Sequence, residues 1–244
     1  MNTLIKVIRT EQMKLKRSPV WIAFLTLPAI SAFFGTFNYL NNLDLLKSEW
    51  FSLWSQHSLF LCYFFMPALI GTYCSCLWRL EHTRHNWHSF LTAPVPRLTL
   101  YLGKLFHAVL MTVLSSVWIF TLFYVCGRLC GIQAPFPAAA SEWFVCGIAG
   151  GTAICCVQLY ISLMIRSFAL PVGIALAGGI GGLFMTSKGF GLYYPYSLYS
   201  MGMRANNPQR EIDLVSFCVN SAAYIVVFAG LSVFYLHKHE MAAG

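Results

Sequence analysis

His82, His85 and His88 recur every third residue, the first pattern in this sequence whose residue types could do chemistry. Imidazoles can hold zinc, but a spacing of i, i+3, i+6 drifts around a helix, and only Glu81 stands near enough to add a ligand. The triplet reads as a solvated hydrogen-bonding face. The nine cysteines are Cys62, Cys74, Cys76, Cys126, Cys130, Cys146, Cys155, Cys156 and Cys218. An odd count without framework spacing argues against a disulfide scaffold, and Cys74-Ser-Cys76 is not a C-x-x-C redox motif. Thiols in apolar surroundings pack as small hydrophobes; a Cys126–Cys130 bridge stays open as an alternative. The sequence has no G-x-x-x-x-G-K-[ST] loop, no H-E-x-x-H and no G-x-S-x-G, so nucleotide hydrolysis by a P-loop, zinc proteolysis and nucleophile-elbow chemistry are not expected. If this chain moves anything uphill, a partner supplies the energy.

The elements that must position these residues follow from composition. Of 244 residues 58% are hydrophobic and 10% charged, and the mean hydropathy is +0.64. A soluble domain is about 25% charged. The same numbers exclude a disordered chain, and 18 Gly and 10 Pro without a fixed period exclude a collagen-like one. Six runs longer than 20 residues lack Asp, Glu, Lys and Arg: Ser18–Leu43, Trp50–Trp78, Leu105–Gly127, Trp143–Ile165, Ser167–Ser187 and Leu214–His237. About 20 apolar residues in a helix cross about 30 Å of hydrocarbon, and a helix pairs its own backbone there. Phe60–Met66 is apolar on both faces, unlike a barrel strand. An all-α membrane protein is expected, as a single domain over 1–244 with transmembrane helices near 20–40, 57–78, 104–126, 143–165, 168–186 and 214–236. The basic, polar stretch before Pro19 does not read as a cleavable signal peptide. All eight acidic residues fall outside these spans, so a buried carboxylate relay for proton coupling is missing. His107, near the inner end of the third span, is the strongly titratable candidate inside and reads as a packing residue.

Positive charge sets the orientation. Lys6, Arg9, Lys14, Lys16, Arg17, Arg79, Arg84, Arg97, Lys104, Arg166 and Lys238 share one side; Lys47, Arg128, Lys188, Arg204 and Arg210 share the other. Both termini are expected in the cytoplasm. The net charge of +8 then reflects anionic membrane lipid and not nucleic acid.

Three segments are not plain spans. In 1–19, Met1, Leu4, Ile5, Ile8 and Leu15 share one helical face and Lys6, Arg9, Lys16 and Arg17 the other, as in an interfacial helix. Glu11 sits at the edge of the apolar face without an explanation. In 79–97, Leu80, Arg84, Trp87 and Leu91 recur at helical spacing until Pro94 and Pro96 stop the pattern. That stripe suits docking on a cytoplasmic partner, with an amphipathic loop on lipid as the alternative. In 187–213, Gly191–Tyr199 is rich in tyrosine, suits the headgroup belt and is expected to dip back toward the membrane. Trp50, Phe51 and Trp54 are read as a belt in the first outer loop. Gly147 and Gly151, and Gly178 and Gly182, form two G-x-x-x-G pairs that predict close helix–helix contact.

The order of these pieces resembles a permease subunit of the type-2 ABC exporters. The residues that carry the resemblance are Glu11–Ser18 before the first span, Trp78–Glu81, Trp87–Arg97, Gly103 and Lys104. Within that family Phe33–Leu40, Ser48–Trp50 and Tyr194–Ser197 look like the permeases of lantibiotic self-immunity transporters, and bacitracin-resistance permeases share the plan. The resemblance implies an interfacial helix, a coupling helix between spans two and three, and an extracellular re-entrant segment. It implies ATPase contact through Leu80, Glu81, Arg84, Trp87, Phe90 and Leu91. It also implies a dimer of ABC ATPase subunits carrying the ATP and Mg, with no cofactor in this chain. A second homologous permease, in a heterodimer more than a homodimer, and an antimicrobial peptide substrate expelled from a bacterial cell membrane complete the expectation. A type-2 permease for another cargo, such as a drug or a lipid-linked molecule, and a scaffold or receptor that works without an ATPase stay open.

Overall fold

A computed structural model of the protein describes residues 3–16, 18–83 and 95–243. All regular structure among them is helical: α1 (Thr3–Lys16), α2 (Val20–Asn41), α3 (Glu49–Phe60), α4 (Met66–His82), α5 (Arg97–Leu129), α6 (Ala139–Met164), α7 (Ala169–Ser187), the short α8 (Leu198–Gly202) and α9 (Leu214–Ala243). Six stretches are long and apolar enough to cross a membrane: Val20–Asn41, Glu49–Arg79, Arg97–Leu129, Ala139–Met164, Ala169–Ser187 and Leu214–Lys238. Each overlaps one of the six uncharged runs, and the third is the longest, reaching from Arg97 past Lys104 to Leu129.

The second span starts eight residues before the expected 57, because α3 and α4 are one helix joined by a π-helical turn at Leu61–Phe65. Pro67 has no N–H, so the Tyr63 carbonyl loses its usual i+4 donor. The ladder slips by one residue and the Met66 N–H bonds the Leu61 carbonyl. α7 packs at this defect, with Gly179 against the Tyr63 carbonyl and the Pro67 ring.

The aromatic belt expected of Trp50 and Trp54 is instead part of the core. Trp54 is fully buried. Its ring stacks on Trp143 at 5.5 Å and on Phe120 at 4.9 Å. Its indole N–H donates to the Met203 carbonyl at 2.9 Å. Trp50 is 2% exposed and donates to the Ala134 carbonyl. Stacked or edge-on rings gain about 0.5–1.5 kcal/mol each beyond burial, and buried indole N–H groups require acceptors. Here α5 and α6 supply the rings on Trp54, and the acceptors come from the connection between α5 and α6 at Ala134 and from the end of α8 at Met203. The lipid-sized apolar surface lies elsewhere, on Phe33, Phe34 and Phe37 of α2, Ile180 and Phe184 of α7, and Val219, Val226 and Phe234 of α9, all exposed. Cys126 and Cys130 are free thiols.

Candidate functional site

α1 meets the bundle with one residue in every four. Val7, Glu11 and Leu15 are buried there, whereas Ile5 and Met13 are exposed. The face that packs on protein is therefore turned from the one the apolar pattern singled out. The reason is visible at Gly103. A β-carbon at that position would lie 2.5 Å from Val7 Cγ1, so α1 and α5 approach each other where a side chain is missing. One residue further on, Lys104 reaches under α1.

Four charges meet at this crossing. Lys104 Nζ lies 3.2 Å from both oxygens of the Glu11 carboxylate and 2.8 Å from Glu81 Oε1. It also donates to the Leu77 carbonyl at 2.6 Å and stands 4.5 Å above the Trp78 ring. Lys14 Nζ lies 2.6 Å from Glu11 Oε1 and 2.6 Å from Glu81 Oε1. Two carboxylates and two ammonium groups sum to zero. Side-chain exposure is 0% for Lys104, 4% for each glutamate and 19% for Lys14. Stripping water from ions costs several kcal/mol each, and only close pairing with full hydrogen bonding offsets it. Lys104, whose ammonium has no access to solvent, has protein acceptors and a ring face around it.

The electrostatics follow the geometry. Burial lowers the Lys14 pKa, but the attraction of Glu11 and then Glu81 outweighs it and holds the ammonium above its usual 10.5. Burial raises the Glu81 pKa, and the attraction of Lys104 and then Lys14 outweighs that, holding the carboxyl below its usual 4.5. Glu81 Oε2 is buried and makes no hydrogen bond among the described residues. The cluster thus ties three elements together: α1, the last turn of α4 and the first turns of α5. α4 ends at His82, one residue beyond Glu81.

Of the expected contact residues, Leu80 lies in the last turn of α4 and Glu81 sits in the ion cluster. Arg84, Trp87, Phe90 and Leu91 lie outside the described residues, as do His85 and His88. His82 Nε2 is 2.8 Å from the Ser162 carbonyl of α6.

The second feature lies toward the opposite end of the bundle. Between α7 and α9 the chain turns through Gly191–Tyr193 and Pro195–Ser197 into α8. This hairpin is wedged between α6 and α7, and the four glycines of the two G-x-x-x-G pairs receive it. Gly178 and Gly182 face the Tyr196 ring and the Ser197 backbone; Gly147 faces the Met203 side chain. Gly151 faces Tyr199 as well as Thr112 of α5. Gly150, not singled out by the pattern, is tightest: a β-carbon there would lie 2.5 Å from the Leu198 carbonyl. Gly178 is nine residues, about 13 Å, from either end of α7, so the hairpin tip reaches the middle of the span. Polar tips are satisfied at that depth. Gln158 donates to the Tyr196 hydroxyl at 2.8 Å, and the Tyr199 hydroxyl meets Ser116 at 3.3 Å. Arg204 closes the hairpin at φ +50, held by Glu142 and the Met201 carbonyl. The tyrosines expected at the headgroup level divide: Tyr193 is exposed, and Tyr196 and Tyr199 are buried.

Residues 7–182 match the sequence model of a family described as ABC-2 family transporter protein. No curated protein matches the chain.

Proposed function

This chain belongs to the ABC-2 family of transporter proteins, and on that premise we propose that it is the membrane subunit of an ATP-driven exporter that clears a lantibiotic-type antimicrobial peptide from a bacterial membrane. ABC-2 membrane domains are not catalytic themselves, and the family implies partnership with an ABC ATPase. In this reading ATP and Mg are held by a dimer of that ATPase, and a second, related permease completes the assembly. Both termini face the cytoplasm, which puts α1 and the ion cluster at the inner surface and the Gly191–Met203 hairpin at the outer one. Segment 79–97 docks on the ATPase through Leu80, Glu81, Arg84, Trp87, Phe90 and Leu91. Closure of the ATPase dimer pushes this segment, and the second and fifth spans shift at the interface with the partner permease. The peptide leaves through or along that interface from the outer leaflet.

The observation that supports the coupling half of this reading is the buried cluster of Glu11, Lys14, Glu81 and Lys104. Ion pairs without solvent have two discrete states, made or broken, so a push on the end of α4 is passed to α1 and α5 as a rigid-body movement. The π-helical turn of the same span is where its backbone ladder is already broken. The cargo rests on the resemblance of Phe33–Leu40, Ser48–Trp50 and Tyr194–Ser197 to immunity permeases. The test is the peptide sensitivity of cells that carry the ATPase and partner-permease genes with and without this one. Protection that needs this chain supports the proposal; equal sensitivity removes the cargo. Substituting Trp87 or Leu91 by Glu is expected to abolish protection, and full protection in both variants removes the docking assignment.

A further inference from the structure

A polar cleft lies outside the features described so far. It opens where the second half of α4 meets the connection from α6 to α7, and encloses about 230 Å³. That is below the roughly 300–1,000 Å³ of drug-sized ligand sites and several times the about 30 Å³ of one water molecule, which leaves room for a single small polar group. Ser75, Arg79 and His82 line it from α4, and Ser162, Arg166 and Ser167 line it from the other side. The Ser75 and Ser162 hydroxyls, 3.4 Å apart, belong to buried residues. Arg79 and Arg166 are exposed.

The cleft collects positive charge without negative charge. Among the described residues no Asp or Glu lines it, and neither guanidinium pairs with a carboxylate. Glu81, next to His82 in the chain, is taken by Lys14 and Lys104. Arg79 stands 5.7 Å over the Phe168 ring, a contact of the guanidinium that consumes none of its N–H donors. Ser167 Oγ accepts the Leu170 N–H at 3.4 Å, so its hydroxyl proton is left to donate. Where the ion cluster of α1, α4 and α5 is neutral, this cleft leaves two cations uncompensated. Its depth says where an anion would come from. Arg79 is the last residue of the second span, and α6 ends at Met164, two residues before Arg166. Span ends are where about 30 Å of hydrocarbon gives way to headgroups. Met164, Phe168 and Leu170, in and around the same connection, are exposed and apolar.

We propose that this cleft binds a phosphate group, carried by the headgroup of an anionic membrane phospholipid. Arg79 and Arg166 pair with the phosphate oxygens, Ser167 donates its hydroxyl, and the acyl chains cover Met164, Phe168 and Leu170. The bound headgroup bridges the end of α4 to the α6–α7 connection. This inference does not depend on the cargo or on the ATPase.

Native mass spectrometry of the purified full-length chain with dioleoylphosphatidic acid and, separately, dioleoylphosphatidylcholine tests it. The wild type is expected to retain one phosphatidic acid in preference to phosphatidylcholine, and millimolar inorganic phosphate is expected to leave that lipid in place. Arg79→Gln and Arg166→Gln are each expected to reduce the preference about fivefold, the share of one near-surface cation, and the double variant to reduce it further. Both side chains are exposed, so the variants leave the packing of the bundle intact. Lys188→Gln removes an exposed cation that stands over the Phe184 ring at the other end of α7, and as the control is expected to bind like the wild type. Unchanged preference in the double variant, or an equal drop in Lys188→Gln, overturns the proposal. Displacement of the lipid by inorganic phosphate overturns the lipid as the source and makes phosphate from solution the occupant. Unaltered lipid retention in the double variant with loss of a co-purifying ABC ATPase also overturns it, and makes an acidic side chain of that partner the occupant.

Discussion

Lys104 Nζ is equidistant, at 3.2 Å, from the two carboxylate oxygens of Glu11, a residue 93 positions earlier in the chain. That contact joins the first helix of the protein to the root of its longest one. Because Lys104 has no solvent access, the pair cannot be exchanged for water without moving a helix.

Lys104→Met is expected to destabilise the protein by about 3–5 kcal/mol, because it leaves Glu11 and Glu81 buried with Lys14 as their one cationic partner among the described residues. The triple variant Glu11→Gln, Glu81→Gln, Lys104→Met removes all three charges and is expected to recover most of that loss, although Lys14 is left without a carboxylate partner. Thermal unfolding in detergent with helix content as the signal separates the two. A triple variant as unstable as the single one would show that packing, not charge, holds the site.

The cluster also predicts a pH profile. Glu81 has its pKa lowered in the fold, so its contribution is present above 4.5 and is lost as pH falls through the folded value. Lys14 has its pKa raised, so its contribution is present below 10.5 and is lost as pH rises through the folded value. The melting temperature should be level across neutral pH and fall at the acid end. Glu81→Gln should be less stable at pH 7 and lose part of that acid fall.

Gly103 and Val7 predict a compensating pair. Gly103→Leu forces a side chain into Val7 and is expected to cost about 1–3 kcal/mol, the usual cost of overpacking. Adding Val7→Ala makes room and should return part of it. A double-mutant cycle on thermal stability measures the coupling; strict additivity would place α1 away from α5.

At the hairpin, Gly150→Ala sets a β-carbon against the Leu198 backbone, which has no rotamer to give way. It is expected to displace the hairpin and lower stability. Gly173→Ala, in the same bundle, meets nothing within 4 Å and should be neutral or stabilising by up to about 1 kcal/mol, the helix preference of alanine over glycine. Opposite effects of two identical substitutions are the signature; a neutral Gly150→Ala would contradict the close approach.

The six spans were legible from missing charges alone, since lipid imposes the same demand on every residue of a span. What was less legible depended on partners distant in sequence. Glu11 looked misplaced on an apolar edge, and that misfit was the one local signal of a buried pair; Lys104 looked like an ordinary loop cation. The aromatic side chains at Trp50 and Trp54 suit lipid headgroups and other rings equally well, and only the fold-back of Met203 and Ala134 decides between them. The glycine pairs announce close approach but not its partner, which is a hairpin held between α6 and α7. His57 was also passed over: its ring is 3% exposed and bonded to Thr36 at 2.9 Å, joining α3 to α2.

The central claim is that this chain is a membrane subunit driven by a separate ATPase. Nucleotide hydrolysis by the detergent-purified tagged chain, alone and after co-expression with the ABC ATPase gene, tests it most directly. The account predicts no hydrolysis by the chain alone, and a co-purifying ATPase whose hydrolysis falls to an uncoupled level when Leu91→Glu is introduced. Hydrolysis by the chain alone, or a tagged chain that brings down no nucleotide-binding subunit, would contradict it.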